Sequence, residues 1–240
     1  MKIALVGKGR VATHLSTALV GAGHEVCNVG GRVRRCPVPD DVEVVILSVN
    51  DDAIAQVAAE FSSTNALVLH TSGSTPISAI PTSRRGVLYP MQTFSMDRAV
   101  DFDKVPLFLE ASSDSDMCVL SNLAHSISSV CIPLDGEGRR VLHLAAVFCC
   151  NFVNHLLEIT SDLLAQRSLP LETMFPLIEE TIAKVHQLPP HEAQTGPAIR
   201  GDKAVMERHM QMLSDPLRRE MYQIISRSIE KTHQCDVSKV

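Results

Sequence analysis

The N-terminal stretch KIALVGKGRVATHLSTALVGAGHEV, residues 2–26, constrains the fold more than any other part of the chain. Its pattern predicts a strand, a glycine turn, an amphipathic helix and a second strand. Gly7, Gly9 and Ala12 fit a G-x-G-x-x-A pattern, in which the first two glycines allow a tight turn and close approach of a diphosphate. The N-terminus of the helix then presents free N–H groups to the phosphates. The stretch predicts a dinucleotide-binding βαβ unit, and a ligand-free turn is the alternative. The predicted cofactor-binding residues of this turn are Gly7, Lys8, Gly9, Arg10 and Val11.

The end of the second predicted strand, NVGGRVRR, indicates which dinucleotide binds. An Asp or Glu at this place binds the ribose hydroxyl of NAD, but Gly30 and Gly31 stand there instead. Arg32 offers a planar set of donors to a 2′-phosphate, so Gly31 and Arg32 are added to the site and NADP(H) is the predicted cofactor. The alternative is a solvated loop, which is the better interpretation for Arg34 and Arg35.

Two different periodicities divide the chain. Up to about residue 132, short β-branched runs alternate with amphipathic stretches, which is typical of a parallel sheet with crossover helices. After Leu134 only helical periodicity continues. We therefore predict the α/β class, with a Rossmann-type parallel sheet in residues 1–132 and an all-helical domain for substrate binding and dimerisation in residues 133–240. The six predicted strands are KIALVG, HEVCNV, VEVVILSV, ALVLHTS, GVLYP and PLFLEA.

Polar residues follow the third, fourth and fifth predicted strands, in LSVNDDAI, LHTSGS and LYPMQTFS. Ligands of open parallel sheets bind beyond the carboxyl ends of the strands, so these segments are expected to line the site. The residues predicted to contact the cofactor here are Ser48, Val49, Asn50, Thr71 and Ser72. Tyr89 and Gln92 are predicted to contact the substrate.

Composition excludes some classes of partner. The formal charge of −5 and a pI near 6.0 do not supply the basic face that nucleic acid requires. No run of about 18 apolar residues is present, so we expect a cytoplasmic protein without a membrane partner. The pattern HQLPPHE matches no helix-borne ligand motif, and no metal site is predicted.

The first long helix of the second half carries His143 and Asn151, eight residues apart and roughly on one face. Imidazole exchanges protons near neutral pH, so His143 is a candidate proton donor. A hydrogen-bonded core histidine is an equal alternative, and Asn151 suits contact better than proton transfer. Arg139 and Arg140 begin this helix, where the dipole disfavours cations, so an external anionic partner is expected.

In the loop TGPAIRGD, Arg200 is a candidate clamp for a substrate carboxylate or phosphate, and Asp202 is a candidate N-cap.

Five ordered motifs, VNDDAI, HTSGS, YPMQTFS, HLAAVFCCNF and TGPAIRGD, resemble an uncharacterised family of Rossmann-like candidate NADP oxidoreductases with a helical C-terminal domain of unknown function. The resemblance covers nearly the whole chain, and some members carry a deazaflavin-coenzyme label. More distantly, the chain is similar to pyrroline-5-carboxylate reductase, ketopantoate reductase and prephenate dehydrogenase. The resemblance implies that His143 and Asn151 face the nicotinamide across an interdomain cleft. Many members carry His-Pro in place of Tyr89 and Pro90, a departure that questions an acid or base role there.

We therefore expect an oxidoreductase that uses NADP(H) to transfer hydride to or from a small carbonyl, imine or acid bound between the two domains. A non-catalytic NADP sensor and hydride transfer between NADP and a deazaflavin coenzyme are the alternatives. The apolar faces of the helical half exceed what its own helices can cover, which predicts a homodimer.

Overall fold

The computed structural model describes residues 1–30, residue 39 and residues 41–237, with side chains to residue 233. Gly31, Arg32, Arg34 and Arg35 lie outside the described residues, so the predicted arginine contact to a 2′-phosphate stays a prediction. Within the described part, a sheet of seven strands has the order β2-β1-β3-β4-β5-β6-β7. The strands are β1 (Lys2–Val6), β2 (Glu25–Val29), β3 (Val44–Leu47), β4 (Leu67–His70), β5 (Arg85–Pro90), β6 (Leu107–Ala111) and β7 (Cys131–Pro133).

The α/β prediction is confirmed, with a difference at one edge of the sheet. Strands β1 to β5 are parallel, but β6 runs antiparallel to β5 and β7 runs parallel to β6. The connection between β5 and β6 contains only a short 3-10 turn at Phe102–Lys104. Parallel strands are usually joined through an α-helix, and this connection contains none, which agrees with the antiparallel return of the chain. Strand β7, which has three residues, was not predicted from the sequence.

The period of two along each strand distributes the core over both faces of the sheet. Ile3 and Leu5 of β1 pack in one apolar cluster with helices α1 (Arg10–Gly21) and α3 (Asp114–His125). Ala4 and Val6 pack in a second cluster, which includes Ala58 of α2 (Ile54–Ala59). With both faces covered, the polar positions are left at the ends of the strands, where the candidate site lies.

From Gly136 onward the described secondary structure is helical, as predicted. It comprises α4 (Gly136–Ala146), a π-helical turn at Val147–Phe152, α5 (Val153–Ala165), a 3-10 turn at Leu171–Met174, α6 (Phe175–Val185), α7 (Pro190–Ala193), α8 (Lys203–Met212) and α9 (Pro216–Val237). Asp202 is the N-cap of α8, as predicted, because its carboxylate accepts a hydrogen bond from the Val205 N–H at 3.1 Å.

The chain divides into two compact units, Met1–Leu156 and a second that begins at Leu157. The division falls inside α5, whereas the predicted functional boundary at residues 132 and 133 stays a prediction. The continuous helical stretch Gly136–Ala165 is long and apolar enough to cross a membrane by length and composition alone, with a mean hydropathy of 1.4 in its most apolar window.

Candidate functional site

The turn between β1 and α1 has a backbone that only glycine fits at Gly7. Its φ of +142° lies in the region that L side chains rarely adopt, and a Cβ there would lie 2.0 Å from the Ser48 carbonyl oxygen. The Gly7 N–H donates to the Val29 carbonyl at 3.1 Å. The ends of β1, β2 and β3 therefore meet closely around this turn.

Helix α1 starts from an open N-terminus. Gly9 is its N-cap, no side chain caps it, and its first turn contains no acidic residue. A Cβ on Gly9 would have no atom of the described residues within 4 Å, so a ligand can approach the backbone there. Unpaired first-turn N–H groups and the positive end of the dipole attract anions. Lys8, Gly9 and Arg10 are exposed and Val11 is half-buried, which fits the predicted contact with a diphosphate.

The residues after β3 continue this rim. The Ser48 N–H donates to the Val6 carbonyl at 2.8 Å, which ties the end of β3 to the end of β1. Ser48 is buried, Val49 is half-buried and Asn50 is exposed at the start of the 3-10 turn Asp51–Ala53. This segment therefore passes from the core to solvent beside the glycine turn.

The loop after β4 is shaped by its own hydroxyl groups. The Thr71 N–H donates to the Leu47 carbonyl at 3.2 Å, and the Ser72 hydroxyl accepts from the N–H groups of Ser74 and Thr75 at 3.1 and 3.0 Å. Since these bonds occupy the buried Ser72 oxygen, the side chain of Ser72 shapes the loop. The Ser74 hydroxyl in turn donates to the Asp51 carboxylate after β3.

Tyr89 and His143 form a pair over this loop. The Tyr89 hydroxyl and His143 Nδ1 are 3.2 Å apart, and the two rings meet edge to face with centroids 6.3 Å apart. A Cβ on Gly73 would lie 2.8 Å from Tyr89 Cζ and 3.0 Å from His143 Nδ1. Glycine is therefore what lets both side chains lie against the loop backbone. Tyr89 and His143 were predicted to have different roles, and the structure brings them into contact.

Burial raises the pKa of Tyr89 above its ordinary value of 10. The Arg139 cation lowers this pKa and the Asp51 carboxylate raises it, and both effects are smaller than that of burial. The phenol is therefore protonated at neutral pH and has a proton to donate. His143 is exposed, so water can reach its imidazole.

Arg139 holds α4 against the sheet. Its guanidinium is 1% exposed, forms an ion pair with Glu110 of β6, and donates to the Thr75 carbonyl at 2.8 Å. The expected external anionic partner is wrong for Arg139, because Glu110 already supplies the charge. Since His143 lies about one turn further along the same helix, this contact also fixes where His143 stands.

The π-helical turn changes the position of Asn151 relative to His143. In a regular α-helix, two residues eight apart are rotated by about 80° from each other. Asn151 lies inside the π turn Val147–Phe152, which is exposed at this residue. A π turn has more residues per turn than an α-helix, so the angle between Asn151 and His143 becomes smaller. π turns occur frequently at functional sites, which agrees with the predicted contact.

The segment YPMQTFS contributes to both the site and the core. Tyr89 faces the site, whereas Phe94 is buried between His14 of α1 and Phe102. Gln92 is exposed, and its side-chain oxygen accepts from the Thr93 N–H at 2.8 Å. Arg200 belongs to the second compact unit, where it is exposed in the turn between α7 and α8.

His70 was missed as a site residue. It ends β4, is 0% exposed, and accepts a hydrogen bond at Nδ1 from the Ser72 N–H at 3.2 Å. Burial, reinforced by the Arg139 cation, lowers its pKa from 6.5 to about 4. A histidine at the end of an otherwise apolar strand was the available signal, because a buried imidazole requires a polar partner. Among the described residues, no group of three or more His, Cys, Asp or Glu is arranged to hold a metal ion.

The fold and the glycine turn define a Rossmann-type protein with a helical C-terminal half. Residues 105–229 match the family described as a domain of unknown function, DUF2520, and the chain belongs to this family. No curated protein matches the chain.

Solved structures show the same fold. A candidate NADP oxidoreductase from Bacteroides fragilis is 38% identical, with a TM-score of 0.87 over 96% of this chain and 98% of its own. A reductive aminase from Aspergillus terreus, in complex with NADPH and ethyl levulinate, is 12% identical, with a TM-score of 0.70 over 96% and 94% of the two chains. A 1-pyrroline-5-carboxylate reductase from Streptococcus pyogenes is 14% identical, with a TM-score of 0.63 over 98% of both. The last two comparisons support the fold alone.

Proposed function

We propose that this protein is an NADP(H)-dependent oxidoreductase that transfers hydride to or from a small carbonyl compound or imine. The observation that carries the proposal is the Tyr89–His143 hydrogen bond of 3.2 Å over Gly73, on the same sheet as a glycine turn. The name of the Bacteroides relative, at 38% identity, supports the cofactor and the reaction class.

The residues of the first turn fit a dinucleotide. Gly7 allows the close turn, and the space beside Gly9 lets a diphosphate reach the N–H groups of α1. The absence of an acidic residue from the first turn of α1 avoids repulsion of the phosphates. When bound, NADPH supplies the hydride that such a reaction requires.

Tyr89 is the proton donor in this proposal. As the carbonyl carbon or imine carbon receives hydride, its oxygen or nitrogen gains negative charge and takes the proton of the Tyr89 hydroxyl. Protonated His143, 3.2 Å away, then returns a proton to the phenolate through Nδ1. Because His143 is exposed, water restores its proton. In the oxidation direction, the same groups accept the proton in reverse order.

The test uses both tyrosines of the chain. Tyr89→Phe removes the proton donor, and Tyr222→Phe is the matched control because the Tyr222 hydroxyl also bonds a histidine, His209, at 2.9 Å. NADPH oxidation is followed with a panel of ketones, aldehydes and cyclic imines. We expect Tyr89→Phe to lower kcat by roughly 100-fold or more, with NADPH affinity and Tyr222→Phe activity close to wild type.

Other outcomes separate the alternatives. NADPH binding without turnover of any panel member would favour a sensor. Turnover with a deazaflavin coenzyme alone would favour hydride exchange between coenzymes. Equal kcat for Tyr89→Phe and wild type would remove Tyr89 from the chemistry.

We also infer that the protein acts in the cytoplasm as a homodimer, without a membrane or nucleic-acid partner. Four large apolar side chains form an exposed stripe along the helical stretch that begins at Gly136, namely Val141, Leu144, Phe148 and Phe152, which are 49–65% exposed. A second copy is the occupant we assign to it, because Arg139 anchors the start of this stretch in the sheet and symmetric self-association covers such faces in most soluble oligomers.

Light scattering tests the dimer. Phe148→Glu is expected to convert a dimer to a monomer, whereas Val20→Glu, at an exposed apolar position of α1, leaves the mass unchanged. A monomeric wild type at micromolar concentration, or binding to lipid vesicles, would contradict the assignment.

A further inference from the structure

Lys8 lies against the end of β2. A Cβ built on Gly30 would be 2.8 Å from Lys8 Cε and 3.5 Å from Lys8 Nζ. The Lys8 side chain therefore occupies the space that any side chain at position 30 would take. Gly30 directly follows β2, whose last residue Val29 accepts the Gly7 N–H, so this space adjoins the glycine turn.

The position of the Lys8 ammonium group bears on which dinucleotide binds. In NAD-binding proteins of this fold, an acidic side chain at the end of β2 bonds the hydroxyl groups of the adenosine ribose. Here the same place combines a missing side chain with a cation. A carboxylate there would repel a 2′-phosphate, whereas an ammonium group attracts it and donates hydrogen bonds to it.

Lys8 is also available for a ligand. It is exposed, and the lysines that form ion pairs among the described residues are Lys2, Lys104 and Lys184. The space beside Gly9 is open on the same turn. A phosphate bound at the N-terminus of α1 and a second phosphate on the ribose would both lie within reach of this turn.

We propose that Lys8 binds the 2′-phosphate of NADP(H) and so selects this cofactor over NAD(H). The inference rests on the proposed function, since it names the residue that gives the cofactor site its preference. Gly30 contributes to this selection as well, because the absence of a side chain at this position leaves room for Lys8. The backbone of Gly30 is outside the positive-φ region, so among the described residues a side chain at this position has only the flexible end of Lys8 to displace.

Three variants test the proposal, with NADPH and NADH affinity measured by nucleotide fluorescence. Lys8→Met keeps the length of the side chain and removes the charge. Lys104→Met is the matched control. It removes an exposed lysine that pairs with Asp101 and is distant in sequence from Lys8. Gly30→Asp introduces the carboxylate of an NAD-binding protein. Isolated 2′,5′-ADP and 5′-ADP serve as probes of the adenosine end alone.

We expect Lys8→Met to weaken binding of NADPH and 2′,5′-ADP roughly 10- to 100-fold, the range of a charge-assisted hydrogen bond. NADH and 5′-ADP affinity should stay within about twofold. Gly30→Asp should lower NADPH affinity and raise NADH affinity, and Lys104→Met should change neither.

Two failures are distinguishable. If folded wild type binds neither dinucleotide, the proposed function falls and this inference falls with it. If wild type prefers NADPH and Lys8→Met keeps the same preference, only the assignment of Lys8 is overturned. Equal affinity of wild type for NADPH and NADH would also overturn it.

Discussion

Replacing His70 with Asn should remove a large part of the acid sensitivity of folding. His70 is fully buried at the end of β4 and accepts the Ser72 N–H through Nδ1. Burial, with a smaller contribution from the Arg139 cation, lowers its pKa from 6.5 to about 4. Protonation of Nδ1 would place a second N–H against that of Ser72, so the charged form also loses the bond that orders the loop.

The direction of the pH effect follows from this lowered pKa. As the pH falls below 6.5, His70 of the unfolded chain binds a proton while the folded protein leaves it neutral, and stability is lost. The loss grows until the pH reaches about 4, below which both states are protonated. At 1.36 kcal/mol per pKa unit, a pKa that falls from 6.5 to about 4 corresponds to about 3 kcal/mol.

Urea denaturation between pH 4 and pH 8 measures this contribution. His70→Asn retains an acceptor near the position of Nδ1 but cannot titrate. We expect the stability difference between wild type and His70→Asn to change by about 3 kcal/mol across this range, with wild type losing more at low pH. His24, whose pKa burial also lowers, remains in both proteins and cancels.

His125→Asn is the control, because it removes a solvent-exposed imidazole from α3. Its stability should follow that of wild type at every pH. Parallel curves for wild type and His70→Asn would refute the reasoning, since they would mean that the buried imidazole does not exclude protons.

Three further substitutions test the two glycines that have no room for a side chain, Gly73 and Gly7, and the buried ion pair of Arg139. Gly73→Ala places a methyl group 2.8 Å from Tyr89 Cζ, so kcat should fall about tenfold or more. Gly21→Ala, whose methyl group would meet no atom of the described residues within 4 Å, should have no such effect. Unchanged kcat for Gly73→Ala would contradict the assigned contact. Gly7→Ala should abolish NADPH binding and lower the free energy of unfolding, measured by urea denaturation, by about 3 kcal/mol or more. Gly23 has a positive φ without the collision, so Gly23→Ala should lower the free energy of unfolding by only about 1 kcal/mol. Arg139→Met should lower the free energy of unfolding by about 3–5 kcal/mol, because Glu110 loses its partner. A second substitution, Glu110→Met, should restore most of that stability. If the double variant is no more stable than Arg139→Met, the ion-pair explanation is refuted.

The sequence predicted those features that depend on local chemistry. A glycine turn can be read from residues that are neighbours in the chain, and Gly7 has a positive φ and no room for a Cβ. The direction of β6 was not predicted, although the stretch between β5 and β6 lacks a crossover helix, which was a usable signal. The short strand β7 has too few residues to show a periodicity.

Contacts between residues that are far apart in the sequence could not be predicted from local sequence patterns. Tyr89 and His143 were both selected, but nothing in two residues separated by 54 positions indicates a hydrogen bond between them. An external anionic partner was expected for Arg139, because the sequence pattern did not identify Glu110, 29 positions earlier in the chain, as its partner. The π turn at Val147–Phe152 was also not predicted, so the face of Asn151 was assigned from regular helical spacing.

Gly7 and Gly73 explain why the two ends of the proposed reaction stand where they do. Each follows a strand of the parallel part of the sheet, β1 and β4, and at each a Cβ would collide with a neighbour, the Ser48 backbone or the Tyr89–His143 pair. Only β3 separates these strands, which places the axes of the two strands about 10 Å apart. The proposed phosphate site and the proposed proton donor are therefore both held by the same sheet. Arg139 holds the helix that carries His143 against the sheet through Glu110 and Thr75, so the buried ion pair sets the position of His143 in the proposed proton transfer.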